Sequence, residues 1–430
     1  MGIVQDLLKD VALPRMVPVR QRFPAPEIGD LRAAVREELA RPGVGDRVRP
    51  GMRVAVTAGS RGVARVGELT AAVVAELKER GAAPFVVPAM GSHGGATAQG
   101  QVEVLARLGV TEASAGCPIR SSMDVVEIGR LEDGLPVLVD RAAHEADGIV
   151  VVNRVKPHTS FRGPSESGLV KMIAIGLGKQ KGADACHALG FAHMAERVVA
   201  MAEVALSKAR ILFGVAVVEN ARDRPMKVAG VPAREIVARD RELLALARAN
   251  MARIPFDPMD VLVVDRMGKE YSGTGMDPNV TGRYSTPYAS GGPRVEKLVV
   301  LDLSDATHGN GVGVGLADFT TRRLAGRLDL AAMYANALTS TVVVPVRIPA
   351  ALDTEREAVQ AAVKTCGARD RARVRLVRVR NTLHLEDLWI SEALVEEARA
   401  NPDLTVRGEP RPMSFDAAGR LQDGWEGAGP

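Results

Sequence analysis

Residues 54–88 read VAVTAGSRGVARVGELTAAVVAELKERGAAPFVVP. A short apolar run is followed by a Gly-Ser-Arg-Gly turn, an apolar-periodic segment that a glycine terminates, and a second apolar run. Buried strands, tight turns and amphipathic helices produce these patterns. The stretch therefore predicts a strand, a helix over 66–80 and a second strand over 84–88.

The same alternation continues on both sides of this stretch. Helices are predicted over 30–41, 98–108 and 192–209, and strands over 148–152, 211–218, 261–265, 297–302, 341–346 and 374–379. Strands that alternate with helices indicate an α/β fold with mainly parallel sheets. Two prolines, Pro255 and Pro258, interrupt the pattern, so we predict two α/β domains, residues 1–254 and residues 255–430. Because ligands of such sheets bind beyond the carboxyl ends of the strands, the active site is expected in the interdomain cleft.

The composition is that of a globular protein of 430 residues, with 46% hydrophobic and 25% charged residues. Basic residues outnumber acidic ones by only 56 to 52, and aromatic residues make up 3%, so no nucleic-acid partner is expected. No apolar run is long enough for a membrane span, and the charged first 20 residues do not resemble an export signal. Three widely separated cysteines argue against a disulfide framework. We therefore expect a cytoplasmic protein with no membrane partner.

Histidines that follow glycine or proline are the first candidates for chemistry. His93 lies in Met-Gly-Ser-His-Gly-Gly (90–95), where glycine lets the backbone approach a bound molecule, or simply permits a turn. His158 follows Lys-Pro at the end of a predicted strand. Because imidazole titrates near neutral pH, the two rings could act as acid and base on one centre. Alternatively, both could bind a metal.

Lys171 and His187 are the second pair of candidates. Burial among apolar neighbours would lower the pKa of Lys171 and make its amine a nucleophile, although a lysine at a helix start can also snorkel to solvent. His187 follows Cys186, and adjacent residues rarely point the same way, so only one of them would bind a metal such as nickel, copper or zinc. Arg61, in the first turn, could hold a carboxylate or be a solvated surface arginine.

Two glycine runs (176–182 and 309–315) could give backbone amides access to phosphate. Neither run has the spacing of a dinucleotide fingerprint or of a Walker A loop. A nicotinamide dehydrogenase is therefore only weakly indicated.

Taken in order, five motifs of this chain resemble the nickel-dependent lactate racemase family: Ser60-Arg61, Gly91-Ser92-His93, Pro157-His158, Ser167-Gly168-x-x-Lys171 and His187. The resemblance extends over most of residues 50–345 and is best over 88–190. It is specific because five chemically distinct positions recur in the family's order.

The resemblance implies a cofactor, the nickel-pincer nucleotide, a pyridinium mononucleotide that holds nickel through two sulfurs and a ring carbon. Lys171 would link covalently to this cofactor, and His187 would complete the coordination of nickel. The first domain would carry the cofactor and the catalytic residues, and the second would close the cleft. Further cofactor contacts would come from the motif residues Ser60, Gly91, Ser92 and Gly168.

The resemblance also implies a reaction, the racemisation or epimerisation of a 2-hydroxy acid. His93 and His158 would exchange the proton of the substrate hydroxyl from opposite sides, while a hydride passes to the cofactor and returns to either face of the ketone. Arg61 would orient the substrate. Proteins of cofactor biosynthesis would be transient partners.

Some positions depart from the family's pattern. Ala58 stands where family members commonly have an aspartate, and the interval from His158 to Lys171 is longer, with extra residues near 161–166. In the second domain, Asn279 and Arg283 are the candidates to replace the family's glutamine and lysine near the substrate. These differences predict a divergent member that acts on a different hydroxy acid, such as a larger or sugar-derived one.

Two other functions compete with this interpretation. A metal-dependent hydrolase would use His93, His158 and His187 as ligands of zinc or iron, and would form no adduct on Lys171. A non-catalytic metal- or nucleotide-binding protein would carry the cofactor without exchanging the substrate α-hydrogen.

Overall fold

The computed structural model describes residues 2–60, 63–188 and 190–425. The strands, in chain order, are β1 (Met16–Gln21), β2 (Arg53–Ala58), β3 (Ala83–Pro88), β4 (Val125–Arg130), β5 (Pro136–Asp140), β6 (Gly148–Arg154), β7 (Ile211–Glu219), β8 (Pro225–Pro232), β9 (Met259–Met267), β10 (Val295–Leu303), β11 (Phe319–Thr321), β12 (Ala350–Leu352), β13 (Leu376–Val379), β14 (Asp387–Ser391) and β15 (Leu404–Val406).

The α-helices, in chain order, are α1 (Ile3–Leu8), α2 (Leu31–Leu39), α3 (Val66–Glu79), α4 (Ala98–Arg107), α5 (Glu112–Ala115), α6 (Arg141–His144), α7 (Leu169–Lys171), α8 (Lys179–His187), α9 (Met194–Lys208), α10 (Ile236–Asn250), α11 (Pro278–Thr281), α12 (Arg322–Ala325), α13 (Leu330–Ser340), α14 (Glu355–Thr365) and α15 (Val395–Ala400). A π-helical turn, Met172–Gly176, follows α7 directly. The chain divides into two compact units, which we call the N-terminal unit (24–251) and the C-terminal unit (residues up to 23 and from 252 on).

The N-terminal unit is built on a five-stranded sheet with the order β3-β2-β6-β7-β8. The first four strands are parallel, and β8 pairs with β7 in the antiparallel direction. The strand β7 is buried along its whole length, as expected for a strand covered on both faces. Because β2, β3 and β6 are parallel neighbours, the loops that follow them leave the same edge of the sheet.

The C-terminal unit contains an eight-stranded sheet with the order β12-β11-β10-β9-β13-β14-β1-β15. The pairs from β12 to β13 are parallel, and β14, β1 and β15 add three antiparallel strands. The predicted α/β fold with mainly parallel sheets is thus confirmed, with antiparallel strands at one side of each sheet.

The first 23 residues belong to the C-terminal unit and not, as predicted from the prolines near 255, to the first domain. Val19 pairs with Leu388 of β14 and with Val406 of β15, and its side chain is buried in the core of that unit. Pro18 lies within β1, where its carbonyl accepts a hydrogen bond from the Arg407 N–H at 2.8 Å. A proline that only accepts is compatible with a strand.

The strand predicted over 341–346 is not formed. Thr341 ends α13 in the left-handed conformation, and Val344–Val346 is a single 3₁₀ turn that contains Pro345. The missing N–H of the proline removes a donor that a central strand would need. The pairing strand comes a few residues later, at β12.

Candidate active site

Three loops of the N-terminal unit converge beyond the carboxyl ends of β2, β3 and β6. A Cβ atom at Gly59, just after β2, would lie 3.1 Å from Met172 Cε and 3.8 Å from Asn153 Oδ1 at the end of β6. A Cβ atom at Gly91, after β3, would lie 3.5 Å from Ala183 Cβ of α8. The glycine-bearing loops therefore pack against the segment that runs from α7 to α8, which carries Lys171 and His187.

Lys171 is held at the end of α7 by buried structure. The Leu169 N–H donates to Asp240 Oδ1 at 2.8 Å, so a carboxylate from α10 caps the N-terminus of α7. A Cβ atom at Gly168 would collide with that carboxylate, which gives Gly168 a packing reason to be glycine. After Lys171 the chain makes the π-helical turn, closed by the Leu177 N–H to Met172 carbonyl bond at 2.9 Å. Such turns often occur at functional sites.

The Lys171 amine contacts the imidazole of His158. Lys171 Nζ lies 2.7 Å from His158 Nε2. The other ring nitrogen, Nδ1, accepts a hydrogen bond from the backbone N–H of Ser160 at 3.0 Å. A neutral ring that accepts at Nδ1 carries its proton at Nε2. The Nε2–H then points at Nζ, and lysine can accept it only as the uncharged amine.

Electrostatics keep the His158 ring neutral. Burial holds the pKa of His158 well below its usual value, and a protonated Lys171 would lower that pKa further. His187 also contributes to this shift. His158, Lys171 and His187 therefore share one electrostatic neighbourhood.

A buried carboxylate fixes the loop that carries His158. Glu166, whose side chain has no exposed surface, accepts hydrogen bonds from the backbone N–H groups of His158 at 2.7 Å and Gly163 at 3.1 Å. It also pairs with Arg162 and with Arg248 of α10. Because the backbone of His158 is bound on one side by Glu166, its ring position is defined by the protein itself.

His187 presents one ring nitrogen as a potential metal ligand. Its Nδ1 lies 2.7 Å from the Ala183 carbonyl, which can only accept, so a neutral ring has its lone pair at Nε2. Burial lowers the pKa of His187, which favours the neutral form. The preceding Cys186 is fully buried, and burial raises the pKa of its thiol to about 11. Of the two adjacent candidates, His187 is thus the one suited to bind a metal.

Two phenylalanine rings lie next to His158 and His187. Phe191 makes an edge contact with His187, with 5.7 Å between the ring centroids, and lies 6.4 Å from His158. Phe161, fully buried, lies 4.4 Å from His158. The site therefore has an apolar wall made by two aromatic side chains.

His93 lies in the loop after β3 and is exposed. Its Nδ1 is 2.7 Å from the Met90 carbonyl, so a neutral ring has its lone pair at Nε2. The buried Gln101 of α4 donates from Nε2 to the carbonyls of Gly91 at 2.9 Å and His93 at 3.3 Å. Gln101 in turn accepts from Lys179, a fully buried lysine that also pairs with Asp140 at 3.0 Å.

The remaining predicted residues fall into three groups. Ser60 and Ser92 are half-buried in the loops after β2 and β3, within the converging region. Arg61 lies outside the described residues. Asn279 and Arg283 belong to the C-terminal unit, where their side chains bond to neighbouring structure.

The hydrogen bonds of Arg283 and Asn279 join them to other residues of the C-terminal unit. Arg283 pairs with Asp318 at 2.7 Å and donates to the carbonyl of Val295 at 3.1 Å, and Asn279 donates to Asp277 Oδ1 at 2.9 Å. These contacts hold the loop of Arg283 on β10, and the substrate contact of Asn279 and Arg283 stays a prediction.

Sequence reasoning did not identify the buried polar residues that support the site. These residues are Gln101, Glu166, Lys179 and Asp240. A charged residue that folding will bury has no local sequence signal, since its partners come from distant segments. The one available cue was the longer interval before Lys171, which contains Glu166.

Within residues 2–60, 63–188 and 190–425, no three His, Cys, Asp or Glu side chains are grouped as a metal site would require. His93, His158 and His187, the ligands of the hydrolase alternative, are thus not grouped in the described structure. None of the helices in the same ranges combines the length and apolar character that a bilayer crossing requires.

Comparison with known proteins finds a family match over part of the chain. Residues 15–198 match the family model of the lactate racemase N-terminal domain. Among solved structures, the lactate racemase apoprotein from Thermoanaerobacterium thermosaccharolyticum is 14% identical, with a TM-score of 0.43 over 66% of this chain and 69% of that one. A protein from Thermotoga maritima is 16% identical, with a TM-score of 0.46 over 63% and 69%. No curated protein matches the chain at a significant level.

Proposed function

We propose that the chain, whose residues 15–198 match the lactate racemase N-terminal domain, racemises or epimerises a 2-hydroxy acid with a nickel-pincer nucleotide. The observation that carries the proposal is the contact between Lys171 Nζ and His158 Nε2, with His187 in the same electrostatic neighbourhood. A paired amine and imidazole next to a second imidazole fits a covalently tethered metal cofactor better than a simple metal site.

The chemistry of the donors fits this cofactor. An uncharged Lys171 amine is the nucleophile that a covalent link needs, and the lone pair of His187 Nε2 suits nickel. Ser60, Gly91 and Ser92 are the loop residues proposed to contact the nucleotide. When bound, the cofactor would supply a hydride acceptor beside the metal ion.

The residues of the chain would handle the rest of the reaction. His93 and His158 would bind and exchange the hydroxyl proton of the substrate, and Arg61 would hold its carboxylate. An acylated Lys171 nitrogen no longer accepts a hydrogen bond, so loading would release His158 Nε2 for the substrate. The aromatic wall of Phe161 and Phe191 would exclude water from the reacting centre.

The proposal also covers the partners, the location in the cell and the substrate. The partners would be a small 2-hydroxy acid and, transiently, the proteins that make the cofactor, in the cytoplasm. The departures near 161–166 support a substrate other than lactate, because Phe161 of that segment packs directly on the His158 ring.

The test is the mass of the intact protein, with nickel analysis, after production together with the enzymes of cofactor biosynthesis. We expect an adduct on the wild type, its complete loss in Lys171→Ala, and its retention in Lys181→Ala, which changes an exposed lysine of α8. Loaded protein should then scramble the configuration of at least one member of a panel of 2-hydroxy acids. Absence of an adduct from both the wild type and Lys171→Ala would contradict the proposal.

A further inference from the structure

The two site histidines are bound to the protein in opposite ways. At His93, the ring nitrogen Nδ1 faces the Met90 carbonyl, which has no proton to give. At His158, the same ring nitrogen faces the Ser160 N–H, which has no lone pair to offer. Both partners are backbone groups whose hydrogen-bonding role cannot change.

These partners fix the tautomer of each neutral ring. His93 must place its proton on Nδ1, which leaves the lone pair at Nε2. His158 must place its proton on Nε2, which leaves the lone pair at Nδ1. The contact of His158 Nε2 with Lys171 Nζ is compatible with this assignment when the amine is uncharged, because an ammonium group has no lone pair to accept the Nε2–H.

We infer that the two histidines have unequal roles: His93 is the single base that takes and returns the substrate hydroxyl proton, and His158 is a hydrogen-bond donor to the same oxygen. The inference rests on the proposed function and narrows it. In the forward step the O–H bond breaks and its proton forms an N–H bond at His93 Nε2. The nickel-pincer nucleotide, when bound, would supply the acceptor for the α-hydrogen and its electron pair. In the return step the hydride comes back to either face, and His93 gives the proton back to oxygen.

His158 donates a hydrogen bond to the hydroxyl oxygen of the substrate without gaining or losing a proton. Its neutral Nε2–H can donate to the hydroxyl oxygen and, more strongly, to the oxygen as it becomes a carbonyl or carries negative charge. It cannot accept the hydroxyl proton at Nε2 unless it first gives up the Ser160 bond at Nδ1. Buried surroundings that disfavour the charged ring oppose such an exchange.

The first test needs neither substrate nor cofactor. Two-bond ¹⁵N–¹H correlation spectra of the apoprotein with ¹⁵N-labelled histidine separate protonated from unprotonated ring nitrogens. The signals are assigned by their disappearance in His93→Gln and in His158→Gln. We expect Nδ1–H at His93 and Nε2–H at His158. The same tautomer at both residues would overturn the inference.

The second test uses the loaded enzyme and the same two variants. Glutamine can donate a hydrogen bond near the Nε2 position but cannot act as a base. We therefore expect His158→Gln to keep kcat within about tenfold of the wild type, and His93→Gln to lose about 10²–10⁴-fold, the usual contribution of a general base. His158→Leu, which removes the donor, should fall below His158→Gln. Equal losses in the two glutamine variants would overturn the inference.

The two tests separate this inference from the proposed function. If the loaded wild type acts on no 2-hydroxy acid while the spectra show opposite tautomers, the proposed reaction is wrong and the tautomer assignment stands. The pH profile gives a further check, because one base requires an acid limb of kcat/KM that is the same for both stereoisomers. A bell-shaped profile with histidine on both limbs would indicate two exchanging bases and overturn the inference.

Discussion

A few buried side chains determine where the reactive groups of the site lie. Glu166 is the clearest case, since its carboxylate binds two backbone N–H groups and pairs with Arg162 and Arg248. The charge is therefore compensated within the protein, and the backbone of His158 is held by it. Removing that charge would leave two arginines without their shared partner.

We expect Glu166→Gln to destabilise the protein by roughly 3–5 kcal/mol, because one partner of a buried ionic network is lost while the others remain. Chemical denaturation of the apoprotein measures the change. Glu196→Gln is the matched control, since the Glu196 side chain is 85% exposed, and its effect should stay within about 0.5 kcal/mol. A loss below about 1 kcal/mol in Glu166→Gln would mean that the Glu166 network contributes little.

At the level of single elements, α7 depends on a cap from a distant helix, and the loop before α4 depends on a side chain of α4 itself. Asp240 of α10 binds the first turn of α7. Burial raises the pKa of Asp240 to about 6, against an ordinary value of 3.8. The native state therefore binds a proton more strongly than the unfolded chain between these two pH values, and stability falls as the pH rises through that window.

We expect the wild type to lose about 3 kcal/mol relative to Asp240→Asn as the pH rises from about 4 to above 6, since two pKa units correspond to that free energy. Denaturant titrations of both proteins across this range give the difference. Asp184→Asn, on the exposed side of α8, controls for the loss of one negative charge. A difference that stays flat or changes in the opposite direction would show that the buried Asp240 carboxyl does not titrate in this way.

The His93 loop depends on Gln101 of α4, which binds two of its carbonyls and is itself bound by Lys179. We expect Gln101→Leu to accelerate hydrogen exchange of the loop amides about tenfold, the equivalent of one net hydrogen bond. The amides to follow are those bonded within the loop, His93, Ala96 and Thr97. Gln99→Leu, on the exposed side of the same helix, should leave their exchange unchanged.

The elements themselves could be predicted where local patterns decide them. The strand and helix around residues 54–80 follow from an apolar run and a 3.6-residue period, and Asp30 caps α2 where the sequence predicts a helix start. The prediction of a strand over 341–346 is wrong because apolar content alone does not distinguish a strand from a turn that contains proline. The buried residues that support the site could not be predicted for a different reason. Glu166 and Arg248 lie 82 positions apart in the sequence and meet only in the folded protein.

At the scale of the whole molecule, β1 joins the two ends of the chain. Val17 and Val19 lie in the core of the C-terminal unit with residues from β9, β13 and β14. No sequence pattern near residue 16 indicates a partner near residue 390, because strand pairing at long range leaves no local signal.

We expect Val19→Ala to destabilise the C-terminal unit by about 2 kcal/mol through lost burial and a residual cavity. Hydrogen exchange should show the effect in β14 and β15 and leave β2 and β6 of the N-terminal unit unaffected. Val4→Ala, at a position 46% exposed, is the control. Equal effects in both units would show that the two units unfold together.

The placement of β1 also has a consequence for synthesis on the ribosome. This strand is translated before the strands of the N-terminal unit, and its partners, β14 and β15, are translated after them. The N-terminal unit has all its strands long before then, while β1 waits with unpaired backbone groups and valine side chains in water. Nascent chains of this protein should therefore carry an open binding site for chaperones at β1 until β14 and β15 have been translated.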